Sequence, residues 1–244
     1  GFSEPGAGSD LAALSTRAER IGDSWVISGH KIWTSYASVA QWCFLLARTD
    51  KDAPRHKGIT MFLVPMEAAG ITVKPLEQIN GRTEFSELFF DDVRIPAAAN
   101  LGPVNDGWRV ANEVLAVERG TNRLYRQARF QNEFEHLLSS ALQTPALRSR
   151  LEPHSALRQR FASIYAKLRI HRLHNLKMIG RMDAGEKIGV ETSYIKLFWS
   201  EMHQELGELA LDVLGAEGAL NEGRSFAEGR FQDVYLTSRA TTIY

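Results

Sequence analysis

The sequence predicts an α+β protein: an antiparallel β-barrel or sandwich domain over residues 1–104, then an α-helical bundle domain over residues 105–244. Three observations predict it. Short apolar or alternating runs recur up to about residue 100, with glycine, proline and aspartate turns between them. After Asn100-Leu101-Gly102-Pro103 the apolar period changes from two residues to about 3.6. The composition, 44% hydrophobic and 24% charged over 244 residues, is that of a folded globular chain with a sizeable core.

The elements follow in order. Ser24-Trp25-Val26-Ile27-Ser28-Gly29-His30-Lys31-Ile32-Trp33 alternates after the Gly22-Asp23 turn, which predicts a strand with Trp25 and Ile27 on one side. Residues 42–47 and 59–64 are apolar runs of buried-strand length. Residues 71–76 follow a glycine turn, and residues 88–96 close the series. This spacing suits antiparallel strands and not parallel β-α units. Beyond it, one helix is expected from Gly107 towards Leu138, starting near Asp106 as N-cap. A second carries Leu157, Phe161, Ile164 and Leu168 at helical spacing, with Pro153 in its first turn and its end near Asp183-Ala184-Gly185. A third presents Ile195, Phe198, Met202, Leu206 and Leu209 as a stripe and stops at Gly215. The segment 225–244 is expected to be helical at first and mixed after.

The totals exclude several classes of function. Lysine plus arginine equals aspartate plus glutamate, 29 each, so no global field draws in nucleic acid or membrane. Cys43 is the one cysteine, so no internal disulfide forms, and its apolar run predicts a buried, inert thiol in a reducing compartment. The longest apolar runs fall far short of the roughly 18 residues a membrane span needs. The chain starts at glycine inside a motif-like stretch, which leads us to expect a piece of a longer protein.

The stretch from Gly1 to Asp10, Gly-Phe-Ser-Glu-Pro-Gly-Ala-Gly-Ser-Asp, packs glycines and a proline into a turn whose N–H groups can meet an anion or a heterocycle. An ordinary turn before a strand has the same composition. It is not a G-x-G-x-x-G fingerprint, because no β-α-β unit surrounds it. Glu118 and Arg119 lie well inside the first helix, where such a pair is ordinarily a solvated face; Glu113 reads the same way. Gly120 beside them is a poor helix former that lets another group approach. His154, His171, His174 and His203 lack the H-E-x-x-H pattern of a metal site, and basic neighbours such as Lys167 and Arg172 predict a polar helix face for them. No G-x-S-x-G is present, which removes the serine-hydrolase reading.

Several motifs together resemble the acyl-CoA dehydrogenase family, from its middle β domain into its C-terminal helical domain. Residues 2–10 match the family's T/S-E-P-x-A-G-S-D loop, and Lys31-Ile32-Trp33-Thr34-Ser35 its K-x-W-I-T/S strand. Phe90 to Pro96, Asn100-Leu101-Gly102, Gly107-Trp108-Arg109-Val110 and Asp212 to Gly218 match further family segments in order. The resemblance implies an FAD enzyme of fatty-acid β-oxidation type that forms an α,β double bond in an acyl-CoA thioester. It implies Phe2 and Ser3 at the pyrimidine edge of the flavin, Ser9 at the FAD pyrophosphate, Trp33 over a flavin face, and Ser35 near N5, which receives hydride. It places the α-proton base either at Glu118 or in the loop after Tyr244, with Glu118 favoured. Arg119 beside it is the implied site-ordering cation, and Ser9, Arg119 and Tyr244 are the implied substrate-side residues. No metal is implied. The implied partners are an electron-transfer flavoprotein and further copies in a homodimer or homotetramer, in a bacterial cytoplasm or a mitochondrial matrix. An acyl-CoA oxidase, or a partner subunit without catalysis, are the alternatives. The family's R-x-x-F-G loop, which helps hold FAD across the dimer, has no counterpart between Arg129 and Arg150. Asp212 and Ala216 stand where the family has glutamine and its second glycine.

Overall fold

The computed structural model describes the chain apart from residues 154, 187, 188 and 221–225, and apart from the side chains of residues 117–124. It divides into two compact units, Gly1–Val117 and Glu118–Tyr244.

In the first unit, β1 (Arg17–Ile21), β2 (Ser24–Ser35), β3 (Trp42–Arg48), β4 (Ile59–Pro65), β5 (Ile71–Leu76), β6 (Phe85–Pro96) and β7 (Asn100–Leu101) form one seven-stranded sheet in the order β5-β6-β2-β1-β3-β4-β7. Neighbours are antiparallel except β1 and β3, which meet in parallel at Arg17 and Arg48. Both faces of the sheet are covered, and the strand pleat sorts the apolar residues between two cores. Leu45, Ala47, Phe62 and Val64 enter one, with Trp25, Ile27, Leu88 and Val93. Leu46, Ile59 and Met61 enter the other, with Ala7, Leu14 and Ala111. Each such fully buried aliphatic or aromatic side chain contributes roughly 1.5–3 kcal/mol. On β2, Trp25 and Ile27 share one core as expected, and Val26 between them is buried as well.

The sequence reading omitted β1. Its side chains are exposed apart from Ala18, so it carries no apolar alternation, yet it sits between β2 and β3.

The helices are α1 (Gly107–Gln143), α2 (Pro145–Arg148), α3 (Ala156–Asp183), α4 (Glu191–Leu214) and α5 (Arg230–Thr241). The start of α1 follows Asp106, whose carbonyl accepts from Arg109 N and Val110 N and whose carboxylate pairs with the Arg109 guanidinium. The core of the second unit joins Phe130, Phe134, Leu137 and Ala141 of α1 to Phe161, Ile164 and Leu168 of α3, to Ile195, Met202, Leu206 and Leu209 of α4, and to Phe231 of α5. Gly207 permits the close passage of α4 and α5: a Cβ there would lie 2.8 Å from Tyr235 Cα.

Three expectations about this unit are corrected. Helix α3 starts after Pro153, because the Ser155 hydroxyl caps it by accepting from Arg158 N. The last helix occupies the later part of its segment, since Ala227, Glu228 and Gly229 stand at φ 50°, 55° and 77° and break any earlier one. The face of α3 bearing His171 is not solvated: His171 is buried, while Ile170, Leu173 and Leu176 are exposed.

Candidate functional site

The loop before β1 is folded on itself and stitched to β2. Glu4 and Ala7 exchange both backbone hydrogen bonds, at 3.2 and 3.0 Å, closing a tight turn over Pro5-Gly6. Ile32 N donates to Ser3 O at 2.9 Å, and the Lys31 ammonium donates to Phe2 O at 3.0 Å. The same ammonium lies 2.8 Å from Glu4 Oε1, in an ion pair whose side chains are almost wholly buried. Glu4 also accepts from Thr16 N, Ser15 N and Ser15 Oγ, at 2.7–2.9 Å. Burial pushes the Glu4 carboxyl up, but the Lys31 charge and these hydrogen bonds outweigh it and hold the pKa at about 2. Burial draws Lys31 below its ordinary value, and Glu4 opposes it.

Sequence reasoning missed this pair, although its signal was present. Lys31 follows Trp25, Ile27 and Gly29 on alternate positions of one strand, so it had to point inward and find a negative partner. Gly29 serves the same packing: a Cβ there would lie 2.4 Å from Thr16 Oγ1, and Thr16 N is one of the donors to Glu4.

Beyond Lys31 the register between β2 and β6 shifts before Thr34, and Trp33 stands at φ 61°. A bulge of this kind re-aims side chains, and a left-handed tryptophan costs of order 1–3 kcal/mol, a strain that concentrates at functional sites. Trp33 is 57% exposed, and its ring packs edge-to-face with Phe85, the ring centres 6.1 Å apart. The hydroxyls of Ser3, Ser9 and Ser35 make no hydrogen bond within the described chain. Nothing lies within 4 Å of a Cβ built on Gly6 or Gly8. A presented aromatic face, unengaged hydroxyls and open space over a glycine turn fit a flavin and the phosphates attached to it.

The remaining site residues belong to the second unit. Glu118 and Arg119 stand on α1, and their side chains lie outside the described residues. Tyr244 is exposed; its hydroxyl accepts from Arg126 Nη1 at 3.3 Å, and Lys196 Nζ lies 5.4 Å from its ring centre. In the late glycine turn, Arg150 donates to Val213 O at 2.6 Å and occupies the space a Gly215 Cβ would take, while Asp212 pairs with Arg160. Of the histidines, His203 is buried against Glu133 at 3.0 Å, and His154 is outside the described residues. Among the described residues no three His, Cys, Asp or Glu side chains group as metal ligands, and no helix is long and apolar enough to cross a membrane.

Comparison with known proteins identifies the family. Residues 1–93 match the family described as acyl-CoA dehydrogenase, middle domain, and residues 105–244 match acyl-CoA dehydrogenase, C-terminal domain. The chain is 43% identical to acyl-CoA dehydrogenase IpdE1 of Mycobacterium tuberculosis over 244 residues, covering 100% of this chain and 61% of that protein. It is 37% identical to acyl-CoA dehydrogenase FadE34 of the same organism, covering 99% and 32%. Among solved structures, the Tcur3481-Tcur3483 steroid ACAD superposes with a TM-score of 0.90 at 32% identity, covering 99% of this chain and 62% of that one. The ChsE4-ChsE5 complex from Mycobacterium tuberculosis gives 0.86 at 30%, with the same coverage. The chain thus spans about three fifths of the length of IpdE1. It belongs to the acyl-CoA dehydrogenase family, whose middle and C-terminal domains it carries.

Proposed function

We propose that the protein containing this chain is an FAD-dependent acyl-CoA dehydrogenase that introduces an α,β double bond into an acyl-CoA thioester. The observation that carries the reading is the stitching of residues 2–4 to residues 31–32, which fixes the loop beside a strand that presents Trp33 on strained backbone. Trp33 would cover the flavin ring, Phe2, Ser3 and Ser35 would hold its polar edge, and Ser9 with the Gly6–Gly8 turn would meet the pyrophosphate. When bound, FAD supplies the acceptor for the two electrons that leave with the β-hydrogen.

The chain's own task is to take the α-proton. Glu118 is the base on this reading, and a carboxylate in a water-poor site has its pKa raised towards working pH, which improves it as a proton acceptor. Arg119 would order the site, and Tyr244 would contact substrate. Glu118→Gln keeps the shape and removes the basic oxygen. In the full-length protein, FAD and acyl-CoA should still bind while substrate bleaching of the flavin slows by about 10²–10⁴-fold. Bleaching at the wild-type rate would place the base after Tyr244. The bacterial relatives support a bacterial cytoplasm; on the same reading an electron-transfer flavoprotein would accept the electrons.

A second reading concerns assembly. Two of the similar structures are named for pairs of different chains, Tcur3481-Tcur3483 and ChsE4-ChsE5. That supports a hetero-oligomer in which this chain is one subunit, in place of the homodimer or homotetramer. Native mass spectrometry of the full-length protein, counting chains and FAD, decides between them.

A further inference from the structure

Among the described residues of the helical unit, two half-buried cations lack an anionic partner. Elsewhere in it, Arg129, Lys167, Arg181 and Arg239 each hold a carboxylate within 3.1 Å, and Arg160 pairs with Asp212. Arg126 of α1 and Lys196 of α4 are as buried as these, and neither has a carboxylate partner among the described residues. They converge on one side chain. Arg126 donates to the Tyr244 hydroxyl at 3.3 Å, and Lys196 Nζ lies 5.4 Å from the centre of the same ring. The buried Trp199 ring backs the group, its centre 4.6 Å from the Arg126 guanidinium carbon.

Like charges gathered in a partly dry site repel, and burial raises the cost. Lys196 registers both effects: burial first, then the Arg126 charge, lower its pKa. The Trp199 and Tyr244 ring faces offset part of this, but no carboxylate among the described residues does. The donor geometry nevertheless suits an incoming anion. Arg126 spends one N–H on Tyr244 and keeps the rest of its fork, Lys196 offers three donors, and Tyr244, accepting from Arg126, can turn its own proton outward.

We propose that Arg126, Lys196 and the Tyr244 hydroxyl form an anion-binding subsite for a charged oxygen group of the acyl-CoA ligand. That group is either a carboxylate at the far end of the acyl chain or the 3′-phosphate of CoA. The inference rests on the acyl-CoA reading above and deepens it, because a tail carboxylate would define the substrate as a diacid thioester and not a plain fatty acyl one.

Calorimetric titration of the full-length, FAD-loaded protein tests it with two matched pairs: adipoyl-CoA against hexanoyl-CoA, and CoA against 3′-dephospho-CoA. Loss of a hydrogen bond to a charged group weakens binding by about tenfold or more. In one pair the charged member should bind that much more tightly to wild type, and Arg126→Gln, Lys196→Gln and Tyr244→Phe should each narrow the gap by weakening that member alone. The pair that responds identifies the source of the anion. If neither pair shows a gap, or the variants weaken both members of each pair equally, the subsite is wrong while the acyl-CoA reading stands. If wild type binds none of the four ligands, the acyl-CoA reading fails and takes the subsite with it.

Discussion

Lys31 and Glu4, far apart in sequence, form a buried ion pair at 2.8 Å that ties the glycine loop to the strand bearing Trp33. Lys31 is fully buried, so its ammonium has no water to fall back on. It divides its donors between Glu4 Oε1 and Phe2 O, and both acceptors belong to the loop. Charge pairing and loop placement are therefore one interaction.

Removing one partner of such a pair leaves a buried charge uncompensated, which costs about 3–5 kcal/mol. Lys31→Met should destabilise the full-length protein by about that amount in urea and release its flavin. Glu4→Gln combined with Lys31→Met should be less unstable than Lys31→Met alone, because no orphan charge remains. A Lys31→Met protein within about 1 kcal/mol of wild type would rule out the staple.

The same pair sets an acid limit. The Glu4 carboxyl sits at about 2 when folded against an ordinary 4.5, so the unfolded chain binds the proton more readily than the native one. Its contribution is complete above about pH 4.5 and is lost as pH falls from there towards about 2. The stability difference between wild type and Glu4→Gln, read from urea midpoints, should shrink over that window. A difference independent of pH would contradict the ionised carboxylate.

How far the sequence carried depended on whether the signal was local. Helix α4 was legible because Ile195, Met202, Leu206 and Leu209 repeat at helical spacing and Gly215, at φ 62°, ends it. Strands β3 and β4 were legible as apolar runs, and the Gly1–Asp10 loop was legible as a motif. Strand β1 was not, since Ala18 alone marks its buried face. Nor was the burial of His203: Glu133, which meets it and also pairs with Arg129, lies on another helix, and no periodicity encodes a partner so distant. Arg126 and Lys196 were equally invisible, because what singles them out is the lack of a carboxylate partner among the described residues.

Glycine effects separate by environment. At Gly207 a new Cβ would meet Tyr235 Cα at 2.8 Å and Ser238 Oγ at 3.1 Å, so Gly207→Ala must push α4 and α5 apart, at about 1–3 kcal/mol. At Gly180, inside α3, nothing lies within 4 Å, and alanine should gain up to about 1 kcal/mol from helix propensity and a less flexible unfolded chain. Thermal unfolding of the two variants should move in opposite directions. A Gly207→Ala protein as stable as wild type would mean that the two helices do not pass this closely.

The flavin assignment itself can be tested without turnover. Trp33 is mostly exposed and Ser9 hydrogen-bonds to nothing in the described chain, so neither side chain contributes much to the fold. Trp33→Ala and Ser9→Ala together should leave the unfolding midpoint of the flavin-free protein nearly unchanged. Flavin retention should behave differently. Stacking on an aromatic ring is worth about 1–3 kcal/mol where bases stack on proteins, and a hydrogen bond to a charged phosphate about 1.5–3 kcal/mol. Their joint loss should weaken FAD binding by at least about 10²-fold, read as the ratio of flavin to protein absorbance after dialysis. Lys31→Met should lose flavin and stability together, whereas the double variant should lose flavin alone. Full flavin content in the double variant would move the ring site away from Trp33. Loss of stability in step with flavin would make Trp33 a packing residue whose exposure and left-handed backbone serve the fold.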